Sequence, residues 1–238
     1  MTARTTVVAL ACVLAAGCYG LGSSTRPPSP QRETGREFLV GTQAEAPGYG
    51  LYSYVLFGAK PTQATRARYV AVVAACLEQI SQISEMEDYY PRRQLNITYL
   101  MVTEAVPDLV AGPGAGAAGT SGAAQWVVEH YNYARARAVL ATVPGEHRDG
   151  PYIVSYRLPL TGSPLLASGY LLQDLSHAQP SLAGAWVKTF LTEASNEDYA
   201  QPATLRRVAV ELRNAVALVA KQWPEVRASV DEAINWVN

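Results

Sequence analysis

Leu51-Tyr52-Ser53-Tyr54-Val55-Leu56-Phe57 is a run of aromatic and branched residues between Gly50 and Gly58. A run of that kind bounded by glycines reads as a β-strand. The sequence then changes period. From Thr62 to about Ile83 the residues Val70, Val73, Leu77 and Ile80 recur at three- and four-residue steps, the single stripe of an amphipathic helix, and Pro61-Thr62 suits its start. Leu95-Asn96-Ile97-Thr98-Tyr99-Leu100-Met101-Val102 is a second clear strand. Strand, helix and strand in that order predict an α/β fold or a mixed α+β arrangement, with one sheet covered by helices.

Outward from this unit, Phe38-Leu39-Val40 reads as a short preceding strand. On the other side, the Gly- and Ala-rich tract Ala111 to Gly122 reads as a mobile loop. A helix is expected from about Ala123 to Val143, with Val127, Tyr131, Ala134, Ala138 and Ala141 along one side and Pro144-Gly145 ending it. Tyr152 to Leu158 is a third strand, which Thr161-Gly162-Ser163-Pro164 folds back onto Leu165 to Leu172 as a hairpin. The remainder is helical: Ser181 to about Ala194 carries Leu182, Trp186 and Phe190, and Pro202 to Trp223 and the stretch after Pro224 carry further stripes. The expectation is a small sheet of about four strands flanked by helices, in a single globular domain over 38–238 whose part from about 181 is helical.

The start of the chain has a different character. Arg4 and the terminal amine precede Val7 to Ala16, a stretch without charge that is too short to span a membrane, which takes roughly 20 residues. It has the layout of a signal peptide. The stretch ends in Leu14-Ala15-Ala16-Gly17-Cys18, which resembles the lipobox of bacterial lipoproteins, although Ala15 stands where that class has a bulkier leucine. The resemblance covers the first eighteen residues. It implies a signal peptide over 1–17, a cut between Gly17 and Cys18, and a diacylglycerol on the Cys18 thiol that ties the protein to a membrane. Ordinary secretion with a cut near Ala16 is the rival. Tyr19, in place of the aspartate that marks inner-membrane retention in enterobacterial lipoproteins, favours the outer membrane. Residues 18–37, rich in Pro, Ser and Gly, read as a tether whose reach is on the order of 60 Å if fully extended.

A formal net charge of −1 gives no basic field of the sort nucleic acid requires. With Cys12 in the signal peptide and Cys18 acylated, Cys76 stands alone, so the domain is expected to rest on its core without an internal disulfide. Cys76 falls within the helical pattern and reads as a small buried residue.

Candidate chemistry is sparse. Gly114-Ala115-Gly116-Ala117-Ala118-Gly119 matches G-x-G-x-x-G and precedes a helix. It nevertheless lacks the tight strand-turn-helix and the acidic residue on the next strand that dinucleotide binding needs. Asp174, Ser176 and His177 supply the residue types of a hydrolase triad. Close neighbours in a chain rarely place a base between nucleophile and orienter, and Asp174 and Ser176 suit a turn before the helix at Ser181. His130, four residues after Trp126, suits helix packing, and His147 sits in a charged turn. No spacing suggests a metal site, and no cofactor is expected. Fourteen tyrosines are the most distinctive feature. They suit core edges and cross-strand pairs or a contact surface.

The functional expectation is a non-catalytic envelope lipoprotein that holds a partner protein or a cell-wall component near the membrane. The alternatives are an envelope hydrolase or transferase using Asp174, Ser176 or His177, and a lipoprotein that binds a small ligand or glycan.

Overall fold

The computed structural model describes residues 32–111, 117–143, 150–161 and 170–195. The expectations for 1–31, for His147, for the turn at 162–164 and for the helices after 195 lie outside them.

The protein is a mixed α/β fold. Its six strands are β1 (Glu33–Val40), β2 (Leu51–Phe57), β3 (Ser81–Gln82), β4 (Leu95–Val102), β5 (Pro151–Tyr156) and β6 (Tyr170–Asp174), in the order β3-β1-β4-β2-β5-β6. β1, β2, β3 and β4 run parallel, and β5 is antiparallel to both β2 and β6. The sheet is therefore larger than the four strands expected. β3, only two residues long, had no signal of its own, and β1 is longer than the Phe38-Leu39-Val40 strand expected: it begins at Glu33, inside the stretch read as tether. Glu33, Arg36 and Glu37 disguise that strand, yet all eight of its residues pair with β4.

The helices are α1 (Arg66–Gln79), α2 (Ile83–Glu87), α3 (Asp108–Ala111), α4 (Ala117–Glu129), α5 (Tyr133–Leu140) and α6 (Ala183–Ser195). α1 starts later than expected because Thr62 and Thr65 form a hydrogen-bonded turn first. Its buried side is Tyr69, Val72, Val73, Cys76 and, just beyond it, Ile80, so Val70 and Leu77 sit at the edge of the stripe. α4 begins within the Gly/Ala tract that was expected to be a loop. The single helix expected over 123–143 is broken at His130-Tyr131-Asn132. Tyr131 bridges to Val102, and the Asn132 side chain accepts from the Arg135 N–H to cap α5. The break resets the phase: Ala134, Ala138 and Ala141 face water while Tyr133, Ala136 and Leu140 are buried.

Side chains alternate across a strand, so the registers assign every strand residue to one of two faces. Ser53, Val55 and Phe57 face the helices. The Phe57 ring lies 4.7 Å from Tyr69 of α1 and 4.3 Å from Tyr131. α1 also packs against α4 and α6. Tyr52, Tyr54 and Leu56 point the other way, toward a covering made of the 41–50 loop, α2 and residues 157–161. This loop-covered face carries a ladder of rings: Tyr54 stacks on Tyr99 at 5.6 Å, meets Tyr156 at 6.1 Å, and Tyr156 meets Tyr170 at 6.1 Å. Gly35 is required there. A Cβ on it would lie 2.7 Å from the Cα of Ile83, so only glycine lets α2 rest directly on β1.

Candidate functional site

Asp174 ends β6, and its Oδ1 accepts from the Ser176 N–H at 2.7 Å. This is an Asx turn of the kind that short polar side chains favour. Ser176 is buried, and its hydroxyl has no hydrogen-bond partner among the described residues. It sits beneath Gly150, whose φ of 108° and close approach both exclude a side chain. His177 is exposed. A triad needs the base bonded to the nucleophile, and the Ser176 hydroxyl has no such bond. Asp174, Ser176 and His177 are neighbours in the chain that the fold does not assemble into a catalytic set.

The C-terminal ends of parallel strands are where α/β sheets usually open to ligands. Here the chain that leaves β1 is tied down by side chains. Gly41, at φ 55°, follows β1, and its carbonyl accepts from Asn132 Nδ2 and Arg135 Nη1, both at 3.2 Å. Arg135 Nη2 lies 3.7 Å from Glu45 Oε1, and the buried Glu45 carboxylate also accepts from the Thr161 hydroxyl and, at 3.3 Å, from its N–H. The tyrosines below continue the pattern. The hydroxyls of Tyr99, Tyr52 and Tyr54 accept from the N–H groups of Ala46, Tyr49 and Leu160, at 3.1, 3.0 and 3.4 Å. Tyr49 donates to Glu87 at 2.5 Å, and Arg92 donates to the same oxygen at 2.6 Å while lying 5.3 Å from the Tyr49 ring.

These environments fix the protonation states. Burial, and then the charge of Glu45, pushes the Tyr54 hydroxyl far above the usual phenol range. Burial, and then the bond to Glu87, does the same for Tyr49. The Tyr49 bond, with Arg92 behind it, holds Glu87 below the usual carboxylate range. Burial, reinforced by Glu87, raises Glu37. Tyr52, Tyr54, Tyr99 and Glu45, each bonded to a loop, can hold backbone in place.

On the helix-facing side, Arg36, Thr98, Ser53 and Ser155 form one register row across four strands, and all four are buried. Ser53 and Ser155 share a hydrogen bond of 2.8 Å. Thr34 Oγ1, Arg36 Nε, Thr98 Oγ1 and the Gln173 amide have no partner among the described residues. Burial lowers the Arg36 guanidinium, opposed by Glu85. Cys76 lies nearby, and burial pushes its thiol up to about 12. That is an inert core thiol, since the thiolate is the reactive form.

His130 stacks on Trp126 at 4.4 Å, and its ring nitrogens lie 2.8 Å from the Trp126 carbonyl oxygen and 3.2 Å from Glu104. Among the described residues no three His, Cys, Asp or Glu side chains converge as a metal site would require. Of the G-x-G-x-x-G glycines, Gly119 lies inside α4, while Gly114 and Gly116 fall outside the described residues. No helix among the described residues is long and apolar enough to cross a membrane.

Sequence reasoning missed Glu45, Arg135 and Arg36, which the fold buries or half-buries. Glu45 and Arg135 are 90 positions apart, and no local pattern announces a pair at that distance. No family model matches the chain, and no curated protein or solved structure matches it either.

Proposed function

We propose that this chain is an exported bacterial lipoprotein, cut before Cys18, acylated there, and acting as a non-catalytic interaction or scaffolding protein of the cell envelope. The observation that carries the reading is Leu14-Ala15-Ala16-Gly17-Cys18, at the end of a short uncharged stretch that follows Arg4. Two or more acyl chains would give stable anchoring, which a single chain does not. The geometry adds support for a holding role. On the loop-covered face Tyr49, Tyr52, Tyr54, Tyr99, Glu45 and Glu87 are bonded to backbone or to other side chains, as a rigid platform requires. The hydrolase reading through Asp174, Ser176 and His177 lacks a nucleophile-to-base bond.

Membrane fractionation of cells carrying the native chain or Cys18→Ala tests this. The native chain is expected in the membrane fraction. Cys18→Ala is expected to leave it while keeping the same thermal unfolding midpoint. A Cys18→Ala protein that stays with the membrane would remove the anchor from the account.

A further inference from the structure

Tyr89, Leu158 and Tyr90 are the exposed large hydrophobic residues of the described chain, at 81, 50 and 41%. The selection is sharp, because nine of the other ten described tyrosines are buried and Tyr170 is half-buried. All three exposed residues sit at one end of the sheet. Tyr89 and Tyr90 occupy the turn between α2 and the short 3₁₀ helix Arg92–Gln94, which leads directly into the start of β4. Leu158 lies two residues past the end of β5, where Tyr156 pairs with Tyr52 near the start of β2.

The chain from Cys18 enters the domain at that same end. β1 starts at Glu33 opposite Leu95, the first residue of β4. Arg32 Nη1 donates to the Arg93 carbonyl at 3.2 Å, and Gly50 N–H donates to the Leu95 carbonyl at 2.8 Å beside it. Thirteen residues, 19–31, separate Cys18 from Arg32, a span of fourteen steps. At no more than about 3.6 Å each they reach roughly 50 Å. This end of the sheet is therefore tethered within roughly 50 Å of whatever membrane Cys18 is anchored in, which raises its effective concentration there.

We infer that the end of the sheet bearing Tyr89, Tyr90 and Leu158 docks on the phospholipid bilayer in which Cys18 is anchored; the inference rests on the lipoprotein reading above. Tyrosine suits a membrane interface because its ring is apolar and its hydroxyl is wet. The charges at this end do not suggest an anionic-lipid site. Arg32, Arg92, Arg93 and Arg157 are set against Glu33, Glu85, Glu87 and Asp88, and Arg92 is paired with Glu87. The contact is thus one of rings at the interface, insensitive to salt and to the anionic lipid fraction.

The test uses the full chain, purified from membranes and reconstituted into vesicles of phosphatidylethanolamine and phosphatidylglycerol. Cys76 is buried and an acylated Cys18 cannot react, so Asp88→Cys gives a single labelling site beside Tyr89 that leaves both tyrosines in place. A nitroxide at 88 is expected to lose several-fold of its collision rate with a water-soluble relaxant when vesicles are present. A nitroxide at Thr42→Cys, exposed at the other end of the sheet, is expected to lose none. Adding Tyr89→Ser and Tyr90→Ser to the Asp88→Cys chain should restore full collision at 88 with the unfolding midpoint unchanged. Full collision at 88 with both tyrosines present and Cys18 acylated would overturn the docking surface alone. That result would leave the patch open to a protein partner. A mass showing unacylated Cys18 in the same preparation would overturn the lipoprotein reading, and the docking surface with it. Release of the label by high salt would show anionic-lipid attraction and contradict the ring contact.

Discussion

The two faces of the sheet treat polar groups differently. On the loop-covered face, three tyrosine hydroxyls each accept a backbone N–H, and Glu45 holds Thr161 and Arg135. Polar bonds fasten the loops there, beside the packing of Ala46, Tyr49 and Leu160 against the core. On the helix-facing side, apolar rings and branched residues do the fastening. The polar atoms of Thr34, Thr98, Arg36 and Gln173 lie under that cover without partners among the described residues. Burying a polar atom without a partner costs about 1–3 kcal/mol. The bonded polar groups of the first face should therefore stabilise it and the unpartnered ones of the second weaken it, and substitutions with opposite expected signs separate the two.

The largest effect is expected from Phe57→Ala on the helix-facing side, where three tyrosine rings meet it. Urea unfolding should show a loss of about 3–5 kcal/mol. A loss below about 1 kcal/mol would mean that this side is not the apolar anchor. Next comes Glu45→Ala on the loop-covered face, with a loss of about 2–3 kcal/mol from stranding Arg135 and the Thr161 donors. Amide exchange at Ala46 and Tyr49 should accelerate in the same variant, and unchanged exchange would show that the loop does not depend on the carboxylate. Thr98→Val sharpens the contrast by its sign. It keeps the shape, removes an unpartnered hydroxyl, and should raise stability by about 1 kcal/mol. A loss of that size would show that the hydroxyl is engaged in solution.

The smallest effect concerns pH. Glu87 is held below its unfolded value of about 4.3, so its contribution is present above that value and fades as pH falls through its folded pKa. Glu37 is shifted the other way, so its preference for the fold is present at low pH and fades as pH rises through its folded pKa. Glu87→Gln removes the first contribution and relieves the upward push on Glu37. Stability of the variant should then fall less steeply than that of the native chain on acidification below about pH 4.3. Parallel acid limbs would show that the Tyr49-Glu87-Arg92 cluster does not couple to folding.

The same contrast explains which parts of the fold could be read from the chain. β2 and β4 are buried on both faces, so their sequences are continuous β-forming runs, and the boundaries at Leu51, Phe57, Leu95 and Val102 could be read to the residue. β1 is flanked by β3 and β4, but it carries Glu33, Arg36 and Glu37 where a buried strand would carry apolar residues. Its partner strand specifies it, and local composition does not. The α4–α5 break depends on the bridge from Tyr131 to distant Val102 and on Asn132, whose side chain caps the Arg135 N–H locally and donates to the distant Gly41 carbonyl, so a periodicity taken across it drifts out of phase. The tyrosines were legible as core edges, and Tyr89 and Tyr90 are the pair that departs from that pattern. The groups that fasten the loop after β1 come together only when that loop, α5 and residues 157–161 meet, so neither Glu45 nor Arg135 had a local signal.

The most direct measurement is the mass of the N-terminal peptide of the mature protein isolated from its native membrane. The account predicts a chain that begins at Cys18 and carries a thioether-linked diacylglycerol. A chain that begins elsewhere, or at Cys18 with an unmodified thiol, would contradict it.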